Sequence, residues 1–238
     1  MRRLLPVLLC LAPQTALPQT KVMCLGDSLT LGAGVGVQGG GYRLFLKLAC
    51  AARSFDIDFV GSSTAFAGTL TDREHDGHGG WTTADLVSGR TEGSADQWVK
   101  TFRPDVVLLM VGRNDPNPLD IQAVYTNYTL LLNSIFEAHS ATKVLFSNVL
   151  YSRSPDSFDL QKCAIADAAI QQCVFVAGLA GHDIAYVDAM RVIGTNPAYY
   201  SDNVHLSDLG YQRLSAVWFS RLYHKPVQLG GGGTRRYP

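Results

Sequence analysis

Residues 106–111 read Val-Val-Leu-Leu-Met-Val, six apolar side chains in succession. A strand with one wet face alternates apolar and polar residues. An unbroken run is the pattern of a parallel strand covered on both faces. Shorter apolar runs at 22–25, 57–60, 143–150 and 184–187 mark four further strands. Between them lie segments of helical character at 41–53, 82–102, 119–139 and 157–181, with a last one at 208–223. In that last segment Leu214, Val217, Trp218, Phe219 and Leu222 form an apolar stripe, and Ser207 is placed to cap its start. Strands alternating with helices predict a five-stranded parallel sheet with helices on both faces, a three-layer α/β/α domain.

The length of 238 residues suits one medium domain. With 47% hydrophobic and 17% charged residues, a large core is within reach and global disorder is excluded. Twenty Lys and Arg balance twenty Asp and Glu, so the chain lacks a general electrostatic reason to bind nucleic acid or anionic membranes. Arg2 and Arg3 precede an apolar stretch at 4–11 that is too short to span a bilayer, and Ala16 follows as a candidate last residue of a removed segment. The expected organisation is an export signal over residues 1–20, a domain over 21–225 and a glycine-rich flexible tail over 226–238. The mature protein is then expected outside the cell or in the periplasm, without stable membrane insertion. Cys24, Cys50, Cys163 and Cys173 remain after such processing. Cys163 and Cys173 fall on one predicted helix, roughly 15 Å apart at 1.5 Å per residue, which is too far to bridge. Cys24 lies in an apolar strand and reads as a buried thiol.

Four short blocks carry chemistry. The first strand ends in Gly26-Asp27-Ser28-Leu29, and the C-terminal ends of parallel strands are where open α/β sheets place their ligand sites. A serine on the turn leaving that strand can expose its hydroxyl and point its own N–H into a cleft. A capping Asp or Ser before a helix produces the same local pattern. The third long strand ends in Gly112-Arg113-Asn114-Asp115, which delivers an asparagine amide to the same edge; a plain Gly/Asn/Asp turn is the alternative. Asp202-Asn203-Val204-His205 puts a carboxylate three residues before a histidine, where it can hold Nδ1–H and leave Nε2 free to take a serine proton. His78-Gly79-Gly80-Trp81 offers a glycine whose bare N–H could approach a substrate oxygen.

In order and spacing these blocks resemble the SGNH (GDSL-type) hydrolases, named for Ser, Gly, Asn and His, across residues 21–223. The resemblance implies a flavodoxin-like fold with strand order 2-1-3-4-5. It implies Ser28 as nucleophile, His205 as base and Asp202 as the residue orienting it. Ser28 N–H, Gly80 N–H and the Asn114 amide would then form an oxyanion hole. Gly-Gly-Tyr-Arg at 40–43, Asp-Phe-Val-Gly-Ser at 58–62, His-Asp-Gly-His-Gly-Gly-Trp at 75–81 and the run 202–211 are similar to the acetylxylan-esterase branch, carbohydrate esterase family 3. That branch removes acetyl groups from polysaccharides or related sugars. Arg113 departs from its pattern, as does the absence of Gly and Pro around His205.

Gly34, Gly36 and Gly39 fit a dinucleotide fingerprint, but the match starts several residues after the strand, and Gly61-Ser62-Ser63 stand where an acidic residue should close the second strand. An active-site loop is the preferred assignment. His75, Asp76 and His78 are read as structural or substrate-contacting rather than as metal ligands. Asp27, Trp81 and Arg113 are candidate substrate contacts, with loop bracing, core packing and solvent exposure as their respective alternatives. Asn127-Tyr128-Thr129 is a glycosylation sequon on a predicted helix. The expected function is a cofactor-independent, metal-independent carbohydrate O-acetylesterase acting on small or polymeric esters. A lipid-acting esterase or lysophospholipase is the rival within the enzyme class. A catalytically idle carbohydrate-binding domain is the rival outside it.

Overall fold

The computed structural model describes residues 19–36 and 39–223. Most of the expected export segment, Val37 and Gln38 of the glycine-rich loop, and everything after Tyr223 lie outside the described residues.

The sheet is built from β1 (Thr20–Gly26), β2 (Ile57–Val60), β3 (Asp76–Gly77), β4 (Val106–Met110), β5 (Lys143–Ser147) and β6 (Ile184–Val187). All pairings are parallel. The long strands run in the order β2-β1-β4-β5-β6, which is the expected 2-1-3-4-5, and β3 pairs with β1 beyond the end of β2. This two-residue strand has no apolar run to announce it and was absent from the sequence expectation. All five residues of β4 are buried, as its continuous apolar sequence requires.

Strand alternation divides the core in two. Met23, Leu25, Val107, Leu109, Val144 and Phe146 face one side, against α3 (Thr83–Ser88), α4 (Ala95–Phe102), α5 (Ile121–Ala138) and α6 (Ser157–Leu179). Val22, Cys24, Val106, Leu108 and Leu145 face the other, against α1 (Ser28–Leu31), α2 (Gly41–Ala51), α7 (Met190–Ile193) and α8 (Asp208–Leu222). A residue-by-residue alternation that meets helices on both sides is what produces three layers. Helix α6 is long and apolar enough to cross a membrane by length and composition. It packs here against α5 and β6, with Cys163, Ala166, Ala169, Ile170 and Cys173 turned inward. All four described cysteines are buried and free.

Two expectations change in detail. The single helix read at 82–102 is two helices, because Gly89 and Gly93 adopt φ of 79° and 120° and a tight Arg90–Gly93 turn interrupts it. The Thr82 hydroxyl accepts from Asp85 N–H while the Asp85 carboxylate accepts from Thr82 N–H, a capping box that starts α3. The fourth apolar run ends as a strand at Ser147, and 148–150 continue as loop. At the other end of the molecule Ser207 caps α8 as expected, accepting from Gly210 N–H.

Candidate active site

The sheet register brings the expected site residues to one edge. Gly26 pairs with Gly77 on one side and with Met110 on the other. Ser28 lies two residues past Gly26, Gly80 three past Gly77 and Asn114 four past Met110, so three loops leave the same ends of adjacent strands. Gly26 makes this approach possible: a Cβ there would sit 2.0 Å from the Met110 carbonyl oxygen and 2.6 Å from Thr30 Oγ1. Ser28 opens α1, where Asp27 is the N-cap and accepts from Leu29 N–H at 3.0 Å. As the first helical residue, Ser28 has an N–H that the helix leaves unpaired.

Ser28, His205 and Asp202 form one hydrogen-bonded chain. His205 Nε2 is 3.1 Å from Ser28 Oγ, and Nδ1 is 2.8 Å from Asp202 Oδ2. The other Asp202 oxygen accepts from the backbone N–H groups of Val204 and His205, each at 2.7 Å. Burial pushes the Asp202 carboxyl up, but the His205 N–H, the imidazole and the Val204 N–H outweigh it and hold the group at about 2. A carboxylate that stays ionised can only accept, so Nδ1 carries the proton. In the neutral ring, Nε2 is then the acceptor for the serine hydroxyl.

Gly80 sits at φ 78° with open space where a side chain would point. Among the described residues its N–H has no acceptor, and neither has that of Ser28. The Asn114 amide gives one hydrogen to the Trp81 carbonyl at 3.0 Å and keeps the other. Asp115 reinforces that link by accepting from Thr83 N–H at 2.6 Å and from Thr83 Oγ1 at 2.7 Å. Two neighbouring loops are thereby locked together, and the Ser28 N–H, the Gly80 N–H and one Asn114 amide hydrogen are left without acceptors among the described residues.

The remaining candidates are placed as follows. Asp27 is buried, and desolvation raises its carboxyl to about 6 against the counter-effect of the Leu29 N–H. Burial likewise raises Asp115, partly offset by the Thr83 groups. Trp81 is buried and stacks on His78 at 4.3 Å, and His78 in turn stacks on Trp98 at 4.7 Å. The Arg90 guanidinium lies 5.2 Å from the centroid of the Trp81 ring. Arg113 pairs with Asp159 of α6, whose other oxygen accepts from Ser152 N–H and Oγ. Lys162 donates to the Arg113 carbonyl, so α6 grips the loop that carries Asn114 from two sides.

Gly34 and His75, read from the sequence as part of an active-site loop and as a structural or substrate-contacting residue, each take a defined place. Gly34 packs against the histidine loop, where an added Cβ would lie 2.7 Å from His205 Cβ and 2.4 Å from Ser201 Oγ. His75 is fully buried, and desolvation together with nearby Arg43 lowers its pKa to about 3. Its Nδ1 accepts from Gly77 N–H at 3.0 Å, so its Nε2 donates to the Ala65 carbonyl at 2.9 Å.

The profile of the GDSL-like Lipase/Acylhydrolase family matches residues 24–213. A multidomain esterase of Ruminococcus flavefaciens is 23% identical over a 225-residue alignment that takes in 85% of this chain; the match spans 28% of that protein's length. A family 3 carbohydrate esterase of Clostridium thermocellum superposes with a TM-score of 0.71 at 28% identity, covering 85% of this chain and 94% of the other. A carbohydrate esterase family 3 structure from Talaromyces cellulolyticus gives 0.69 at 25% identity, covering 86% and 96%. With most of its length matched by the family profile and its fold shared with these esterases, the chain belongs to the GDSL-like Lipase/Acylhydrolase family.

Proposed function

We propose that this protein is a serine-dependent carboxylic ester hydrolase that removes acetyl groups from a carbohydrate. The observation that carries the catalytic part is the continuous chain Ser28–His205–Asp202, with Nε2 facing the serine hydroxyl. Ser28 Oγ attacks the ester carbonyl carbon as its proton passes to His205 Nε2. The carbonyl oxygen gains the negative charge and accepts from Ser28 N–H, Gly80 N–H and the free Asn114 amide hydrogen. Collapse breaks the bond to the alcohol oxygen, which takes the proton from Nε2 and leaves. Water then attacks the acetyl-serine, giving its proton to the same nitrogen, and the second collapse releases acetic acid and returns the proton to Ser28. Asp202 stays ionised throughout and stabilises the imidazolium formed in each half. Protein side chains, backbone N–H groups and water account for every proton and bond in this cycle.

The carbohydrate part is supported by the blocks at 40–43, 58–62, 75–81 and 202–211 and by the likeness to two family 3 carbohydrate esterases. The test is covalent and kinetic. A fluorophosphonate should label Ser28, and Ser28→Ala should lose both label and turnover while its melting midpoint stays near the parent's. p-Nitrophenyl acetate should be cleaved in preference to longer-chain esters, and acetylated xylan should release acetate. Retained turnover in Ser28→Ala overturns the catalytic assignment. A preference for long acyl chains overturns the acetyl assignment.

A further inference from the structure

Beside the Gly79-Gly80 turn runs a groove lined by Ser62, Ser63, Phe66, Gly79, Trp81 and Glu92, among others. Phe66 is the unusual member. The residue is 58% exposed, and its backbone sits at φ 52°. A bulky non-glycine residue in the left-handed region is an outlier that persists only where the surroundings over-determine it, and such residues cluster at functional sites. The surroundings here do so. The Phe66 carbonyl accepts from Gly40 N–H at 2.6 Å, and Ser63 and His75 exchange backbone hydrogen bonds of 3.0 and 2.9 Å. The Ala65 carbonyl is held by buried His75. A rigid frame thus presents an aromatic ring to solvent at the rim of a groove that begins one residue from Gly80. Glu92 adds an exposed carboxylate, and Ser62 and Ser63 add hydroxyls.

Resting on the esterase reading above, we propose that this groove is the subsite for the alcohol half of the ester, a neutral sugar ring packed on Phe66 with hydroxyls bonded to Glu92. A sugar ring has a face of C–H groups, slightly positive at the hydrogens, which packs on the negative face of an aromatic ring. Its hydroxyls are donors, and a carboxylate is a strong acceptor for them. The same carboxylate repels an anionic alcohol such as the phosphate-bearing headgroup of a lysophospholipid. Gly79 lines the groove and Gly80 follows it directly in the chain, so an ester whose carbonyl oxygen reaches Gly80 N–H can lay its alkoxy side along this groove.

The experiment compares kcat/KM of the full chain on a partially acetylated xylo-oligosaccharide and on ethyl acetate, whose alcohol is too short to occupy the groove. Phe66→Ala should lower the ratio of the two values by about five-fold, chiefly through KM for the oligosaccharide, and Phe66→Tyr should restore it. Glu92→Gln should lower the same ratio. An unmoved ratio in both Phe66→Ala and Glu92→Gln overturns the subsite. A Phe66→Ala loss that falls on p-nitrophenyl octanoate relative to the acetate would assign the groove to an acyl chain and also overturn it. A parent that cleaves ethyl acetate but no acetylated oligosaccharide overturns the carbohydrate reading itself. A parent that cleaves neither, with Ser28 unlabelled, overturns the catalytic one.

Discussion

Asn114 is where the proposed catalysis and loop architecture can be told apart, because the proposal gives the two hydrogens of its amide two different tasks. One is committed to the Trp81 carbonyl at 3.0 Å, and in the proposed mechanism the other meets the oxyanion. Asn114→Ala removes both. The structural loss is one hydrogen bond of an exposed side chain, about 0.5–1.5 kcal/mol net, and the Asp115–Thr83 bonds still join the two loops. For a domain of this size that corresponds to roughly 2–4 °C in melting midpoint per kcal/mol. The catalytic loss is larger, since the free hydrogen meets an oxygen that carries charge only in the tetrahedral state. Deleting one such donor lowers kcat by roughly 10²–10³, about 2.7–4 kcal/mol. KM should move little, because the interaction is weak in the ground state. Ser28 should still be labelled by a fluorophosphonate, more slowly, since nucleophile and base are intact. Measuring kcat, KM and the melting midpoint on one preparation decides the matter. A variant with parental kcat and a lowered midpoint refutes the oxyanion role and leaves Asn114 a loop residue.

Three further outcomes follow from the geometry. Asp202→Asn should reduce kcat by up to roughly 10⁴, because an amide donor facing Nδ1 forces the proton onto Nε2 and leaves nothing to accept from Ser28; near-parental kcat would show that the imidazole keeps its tautomer unaided. Asp27 is held at about 6 against an ordinary 3.8, so the folded chain takes up its proton before the unfolded chain does, and the buried charge opposes folding most fully above about pH 6. Asp27→Asn, whose side-chain oxygen can still accept from Leu29 N–H, should therefore stabilise by up to about 3 kcal/mol near neutral pH and by little at about pH 4; urea midpoints that shift equally at both pH values contradict this. Gly77→Ala would put a Cβ 2.3 Å from Leu31 N and 2.6 Å from the Thr30 carbonyl carbon, so α1 must move, costing about 1–3 kcal/mol and lowering kcat with it. A variant with parental stability and kcat would mean that α1 has slack, which the close packing of β3 against it argues against.

The five long strands and the four blocks that supply Ser28, Gly80, Asn114 and His205 were readable from the amino-acid sequence, and the strand order followed from the resemblance those blocks carry. The strands leave a local mark as continuous apolar runs, and for Ser28 and Asn114 a polar cluster directly after the run marks a site at the strand's end. Residue types at a strand end also limit the chemistry on offer, so Asp202 three positions before His205 already suggested an oriented imidazole. What no local pattern contains is which groups meet. Ser28 and His205 are 177 positions apart, and their 3.1 Å contact exists because α8 packs on α2 and its Tyr211 donates to the Ala33 carbonyl, which anchors the preceding His205 loop next to the segment after α1. The strand at Asp76–Gly77 is too short to carry a period, and it forms because β1 offers a free ladder position beyond the end of β2. Arg113 could have faced solvent or the cleft; it pairs with Asp159 because α6 packs close to the loop after β4, a matter of helix placement rather than of its own sequence neighbours. Phe66 gives the sharpest case. Its sequence surroundings, Thr-Ala-Phe-Ala-Gly, read as an ordinary loop. Its left-handed backbone and exposed ring are imposed by bonds from Gly40 and from buried His75, groups that only the folded chain brings to it.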